Sequence, residues 1–303
     1  MTKLLITSLF LILISSCQKE ISSPTGSAPI PIITNDSILI SKIIGLDTTK
    51  TAPLDTVYKL LFQYDNLKRI SSSLTIDYNN TGIAVDTFCN NKYFYNGTDT
   101  LPFKVNAIID DLHTYLDTDY YQYSSPERRV IYDSSIQYDA NPIYTYFTFQ
   151  SYDFTYFTNQ VSQTERDYPN GVYGSTQLFK IPVNKISGNI VSQRDTTSGG
   201  DVEVFNSTYD NKLNPLNRFN FGAPIIHFGS DFFTTDYLLI DQVNNITEIN
   251  EVRTIFITGN IYLDHYKFLY SYNTTGYPTE ARILNIGSTS PRSFNKLKYF
   301  YTN

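Results

Sequence analysis

Few side chains in this sequence are of the kinds that do chemistry. Its cysteines are Cys17 and Cys89, and its histidines His113, His227 and His265. A catalytic thiol needs an activating partner. Cys89, in Val85-Asp86-Thr87-Phe88-Cys89, has none nearby in sequence and reads as a small hydrophobe at an inward strand position. The histidines lie far apart, and no HExxH, CxxC, Gly-rich phosphate loop or GxSxG elbow occurs. Asp264-His265 could orient an imidazole, but neighbours on a strand point to opposite faces, so a surface or edge histidine is expected. Asp110-Asp111 and Asp117-Thr118-Asp119 are candidate oxygen ligands for Ca²⁺. Asp117 and Asp119 would share one strand face, close enough to chelate. No Gly-anchored loop surrounds them, so solvated acidic loops are the expectation. A glycosidase-type carboxylate pair is set in three dimensions and stays open. The residues thus give no catalytic, cofactor or metal assignment.

The N-terminus is more informative. Residues 1–17 read MTKLLITSLFLILISSC. Lys3 precedes an apolar run, Leu4 to Ile14, too short for a comfortable permanent span, and small Ser15 and Ser16 then precede Cys17. This order predicts a signal peptide over 1–16. Leu13-Ile14-Ser15-Ser16-Cys17 resembles a bacterial lipobox. The resemblance implies cleavage before Cys17, diacylation (typically palmitate) of its thiol and acylation of the new amine. Acyl chains worth about 0.8 kcal/mol per buried CH₂ make a stable anchor when several are present. With Cys17 lipidated, no intrachain disulfide is available. Gln18-Lys19-Glu20 resembles the Lys-plus-acid signal that sends Bacteroidota lipoproteins to the cell surface, with Ile21 where a second acid is usual. Residues 17–36, with Pro24, Pro29 and Pro31, read as an extended tether.

The elements that must position everything else are strands. The chain carries 26 Tyr and 20 Phe but no Trp, and its aromatic share is 15%, a composition that favours strands. Runs such as 57–64, 74–78, 92–95, 130–132, 144–157, 177–183, 202–209, 253–257, 266–272 and 297–301 are separated by Asn, Asp, Gly and Pro. They predict one all-β domain over 37–303, an antiparallel meander that curves strongly or closes into a barrel. Helical candidates are confined to 105–116 and 222–240. One design recurs: an aromatic strand ending in Tyr-Asp or Tyr-Asn before a turn, at Tyr64-Asp65, Tyr209-Asp210 and Tyr272-Asn273.

The segments FQYDNLKRI (62–70), YFYNGTDTLPF (93–103), YDNKLNPL (209–216), NNITEI (244–249) and YSYNTTGYPT (270–279) resemble a family of Bacteroidota lipoproteins carrying a domain of unknown function with a porin-like fold. The resemblance implies a barrel-like sheet and carries over no catalytic residue. An inserted barrel is not expected. Tyr is spread throughout rather than in girdles, a lipobox is an odd companion, and the chain ends Tyr301-Thr302-Asn303.

Function classes narrow accordingly. Lys+Arg 23 against Asp+Glu 29 gives a formal charge of -6, which offers no field for nucleic acid. The expectation is a non-enzymatic binding or structural module, lipid-anchored at the outer membrane and facing the cell surface. Capture of a glycan or peptide for uptake and a carboxylate-pair hydrolase are the alternatives. Tyr-rich strands could stack such ligands, although packing is their default role. Asp-Ser/Thr triplets at Ser37, Thr48, Thr56, Thr100 and Thr196 resemble the O-glycosylation sequon of exported Bacteroidota proteins.

Overall fold

Alternating apolar and polar residues give each strand one face to bury, and the chain buries those faces by rolling a single sheet closed. The computed structural model describes residues 38–302 except 53–54, 80–81, 111–113, 126–128, 140–146, 170–171, 187–188, 197–199, 220–242 and 289–293. The strands are β1 (Leu39–Leu46), β2 (Thr56–Tyr64), β3 (Ile70–Tyr78), β4 (Ala84–Phe94), β5 (Lys104–Asp110), β6 (Thr114–Tyr123), β7 (Val130–Asp139) and β8 (Phe147–Phe157). They continue as β9 (Gln160–Pro169), β10 (Ser175–Ile186), β11 (Asn189–Thr196), β12 (Val202–Leu213), β13 (Asn244–Thr254), β14 (Ile261–Tyr272), β15 (Pro278–Asn285) and β16 (Lys296–Thr302). Each pairs antiparallel with its neighbours in the chain. β1 also pairs with β16, from Leu39 opposite Thr302 to Leu46 opposite Lys296, so the ladder is a closed barrel. Closure removes the unpaired edges that so β-prone a sequence would otherwise present.

The all-β expectation holds, and the choice between curved sheet and barrel is decided for the barrel. Two local readings change. Of the helical candidate 105–116, residues 105–110 lie in β5 and 114–116 in β6, because the β-branched and aromatic residues there gain more from pairing than from a helical stripe. The run 253–257 straddles the end of β13; Phe256 and Ile257 stand exposed in a turn. The other helical candidate, 222–240, lies outside the described residues, as do Cys17, Lys19, Glu20, Ser37, Asp111, His113 and His227.

An even number of antiparallel strands returns the chain to the end where it began. Residue 38 enters β1 and Thr302 leaves β16 at this terminal end, where turns 65–69, 95–103 and 273–277 also lie. The turn 255–260 lies at the opposite, far end.

Near the terminal end the interior is filled by Ile40, Phe62, Ile70, Tyr93, Val130, Phe154, Val161, Val183, Ile190, Ile246 and Phe268. A ring of tyrosines seals it. Tyr64, Tyr95, Tyr123, Tyr156, Tyr209 and Tyr301 donate to the carbonyls of Ile40, Ile70, Pro102, Val130, Ile190 and Pro278, at 2.6–2.9 Å. In each case a phenol near or just past the end of an even-numbered strand reaches back to the start of the preceding strand or, at Pro102, to the turn that enters it. Three of the six ring tyrosines, Tyr64, Tyr95 and Tyr209, are followed by Asp or Asn, so the recurrent signature marks half of the ring; Tyr272, before Asn273, donates instead to the Asp210 carboxylate. At Tyr64-Asp65 the Tyr closes the wall and the next side chain caps the turn; Asn273 caps its turn in the same way.

The turns after β2 and β14 are built alike. In one, Asp65 N donates to Arg69 O and Lys68 N to Asp65 O; in the other, Asn273 N donates to Tyr277 O and Gly276 N to Asn273 O. The equivalent residues Lys68 and Gly276 both have positive φ, 60° and 87°. Only the glycine is free of a Cβ penalty there. Lys68→Gly should therefore stabilise the barrel by about 0.5–1 kcal/mol, read as a higher urea midpoint at unchanged m-value. A lower midpoint would refute the assignment of that strain.

Candidate functional site: the acidic half of the interior

The interior does not stay apolar along its whole length. On β15, β16, β1 and β2 it does: Leu297, Leu46 and Tyr58 carry the core to the far end, with Tyr58 set edge-on against Phe294 at 5.1 Å. On β6–β9 and β11–β14 the inward positions turn polar toward the far end. Strand register identifies these positions, since directly paired residues share a face. Asp119 pairs with Ser135, Tyr121 with Asp133, Asp133 with Tyr152, and Tyr152 with Glu165. Asp117, Asp119, Asp133, Glu165 and Asp167 therefore line one wall. Across the barrel, Glu203, Glu251 and Asp264 occupy inward positions, with Arg253 at the rim.

The first wall is a hydrogen-bonded network around the half-buried phenol of Tyr152. Ser135 Oγ donates to Asp117 Oδ1 at 2.7 Å, Tyr152 donates to Gln150 Oε1 at 3.0 Å, and Gln150 Nε2 donates to Asp167 Oδ1 at 2.9 Å. Burial, then the charges of Glu165, Asp133, Asp167 and Asp119, hold the Tyr152 phenol firmly protonated. Burial raises the Asp117 carboxyl as well. Asp133 is pushed up to about 7, by burial first and then by the neighbouring Asp117 charge. Two carboxylates that cannot both ionise without cost will hold a proton or another cation near them.

Among the described residues, three buried polar atoms on this wall have no hydrogen-bond partner: Asp133 Oδ1, Thr148 Oγ1 and Gln163 Oε1. Gln163 is the most enclosed, with 8% of its surface exposed. It lies where the polar wall meets the apolar filling, paired with Phe154 and Phe179.

Sequence reasoning found part of this site. Asp117 and Asp119 do share one face, and that face is the interior. Asp117 is buried, where a solvated loop was expected. Asp264 and His265 do point apart, Asp264 accepting from Ser288 Oγ inside and His265 meeting Glu248 outside at 2.7 Å. Among the described residues, no three His, Cys, Asp or Glu side chains converge as metal ligands. Cys89 pairs through its backbone with Thr75 and Ile109. Asp133, Glu165, Asp167 and Glu251 were missed, because single acids inside alternating strands look like solvent-facing positions until register is known. The sequon threonines are not brought together: Thr48, Thr56 and Thr196 lie at the far end and Thr100 at the terminal end.

No family model matches the chain, and no curated protein matches it. Two solved structures are similar to it. One is a porin-like protein from Bacteroides vulgatus ATCC 8482, 12% identical, covering 87% of this chain and 98% of that one, with a TM-score of 0.46. The other is a porin-like protein from Bacteroides uniformis ATCC 8492, 11% identical, covering 87% and 96%, with a TM-score of 0.43. The assignment of a closed sixteen-stranded barrel rests on the strand pairing of this chain itself.

Proposed function

We propose that this protein is a non-enzymatic binding module, anchored to the outer membrane through lipid on Cys17, with its barrel standing in water at the cell surface. The outer wall supports this reading. Lys59, Arg166, Lys180, Lys267, Arg282 and Lys298 stand near the midpoints of six strands, at positions alternating with the inward ones. A basic residue on the lipid face at mid-bilayer costs about 2–4 kcal/mol, so six of them oppose an apolar belt at that height. Outward ion pairs, Lys296 with Glu280 at 2.9 Å and Arg166 with Asp153, suit a water-facing wall as well.

The same reading carries an orientation for the barrel. The chain enters at the sealed terminal end, so a tether at 17–36 holds that end toward the membrane and turns the acidic half outward. Lys19 and Glu20, in this reading, direct export to the surface.

Protease treatment of intact cells tests the proposal. Cutting between residues 21 and 36 should release a folded barrel into the medium without detergent. A barrel that stays with the membrane after the cut would refute the water-facing wall. Complete protection of the tether on intact cells would refute surface display. Mass spectrometry of the mature N-terminus should find acylated Cys17 as the first residue.

A further inference from the structure

Among the described residues, the buried atoms left without a partner on the β6–β9 wall are oxygens, and the charged groups beside them on the inward face are carboxylates. Such a surface is short of donors and of positive charge. A single metal ion is a poor answer, since the acids are spread over several strands and no three of the described ones converge. Between the acids lie the rings of Tyr121, Tyr152, Phe154 and Phe179. Aromatic faces accept alkyl chains and ammonium heads together. The matching ligand has donors and charge at intervals along an apolar stem.

We propose that the acidic half of the barrel interior binds alkylammonium groups, as carried by lysine side chains and polyamines, with Asp133 and Gln163 at the floor of the site. The proposal rests on the binding-module reading above and names its ligand class. An ammonium offers three donors and no acceptor, which suits the unpartnered oxygens of Asp133, Thr148 and Gln163. It also relieves the repulsion between Asp133 and Asp117. The charged and titratable groups facing Asp133 are Asp117, Asp119 and Tyr121 from β6, Tyr152 from β8 and Glu165 from β9. Protons compete with the ammonium for the same carboxyls, so affinity should fall as the pH is lowered from 8 to 5.

The test is calorimetric titration of the full chain, purified in detergent, with spermidine and with tetralysine at pH 8. Tetralysine acetylated at its α-amine and at every side chain, and amidated at its C-terminus, is the neutral control. At least one amine should bind, and the acetylated peptide should not. Binding of spermidine alone identifies a free polyamine as the source of the ammonium; binding of tetralysine alone identifies a peptide. Asp133→Asn should weaken binding about tenfold or more, and Gln163→Leu about threefold, while Glu280→Gln on the outer wall leaves it unchanged. Binding of neither amine would overturn the proposal. So would equal binding of the acetylated peptide, or an equal loss with Glu280→Gln, which would reveal unspecific attraction to an acidic protein. None of these failures touches the anchoring and water-facing wall, which the protease experiment decides separately.

Discussion

Gly45→Val should destabilise the barrel by about 3 kcal/mol, lowering Tm by roughly 8 °C in a domain of this size. Gly45 lies on β1, opposite Tyr58 of β2 on one side and Leu297 of β16 on the other. The Tyr58 ring lies flat over it: a Cβ at position 45 would come 2.3 Å from Cε1 and 2.6 Å from Cδ1 of that ring. The ring cannot swing away freely, because its other side meets Phe294. A larger residue at 45 must therefore break the packing that carries the core to the far end beside the β1–β16 seam. If overpacking is the cause, Tyr58→Leu in the Gly45→Val background should recover part of the loss, although Tyr58→Leu alone destabilises. Additive losses in the double variant would show that the ring and the glycine are not coupled.

Asp133→Asn should change how stability depends on pH. The carboxyl of Asp133 has a folded-state pKa raised above the ordinary carboxylate value, to about 7. Between the unfolded and folded values the native state binds more protons than the unfolded chain, so stability falls as pH rises through that interval. Asp117 and Glu165, also raised by burial, act in the same direction. The carboxyls of Asp47 and Asp65 are lowered by the hydrogen bonds of Thr49 and Arg69, working against burial; their contribution is lost only in more acidic solution. The intact protein should melt higher at pH 5 than at pH 8, by roughly 5 °C. The asparagine variant keeps the shape, cannot ionise, and should lose much of that difference by gaining stability at pH 8. A variant less stable than the parent at pH 8 would mean that the carboxylate there is compensated, contrary to its unpartnered oxygen.

The fold was legible because its signals are local. Alternation along runs such as Val57–Tyr64 and Val202–Tyr209, with Asx residues at their ends, specifies strand and turn without reference to any partner. The repeated Tyr-Asp/Asn step was readable as a strand exit, but that Tyr64 and Tyr209 also seal the interior was not, and Tyr123, Tyr156 and Tyr301 carry no such mark. Closure was not legible, since nothing in the sequence of β1 states that its partner is β16. The site was half legible for a related reason. Asp117-Thr118-Asp119 shows that two acids share a face, but which face depends on where Tyr121 and Tyr123 are buried. Asp133 and Glu165 join that cluster only through pairing with Tyr121 and Tyr152 across the four strands β6–β9. Residues such as Lys59 and Lys298 carry the opposite lesson: their meaning as an outer wall comes from the strand midpoint at which they stand.

The β1–β16 seam sets an order of events in biogenesis. β1 is the first of the strands to emerge from the ribosome, yet one side of it stays unpaired until the seven residues of β16 arrive. Until then the growing sheet exposes two sticky margins, one permanent at β1 and one that moves with each hairpin added. Ring closure is thus a single late step joining the most distant parts of the chain, slow by its topology. A ribosome that stalls before residue 296 releases an open sheet ready to polymerise with its own kind.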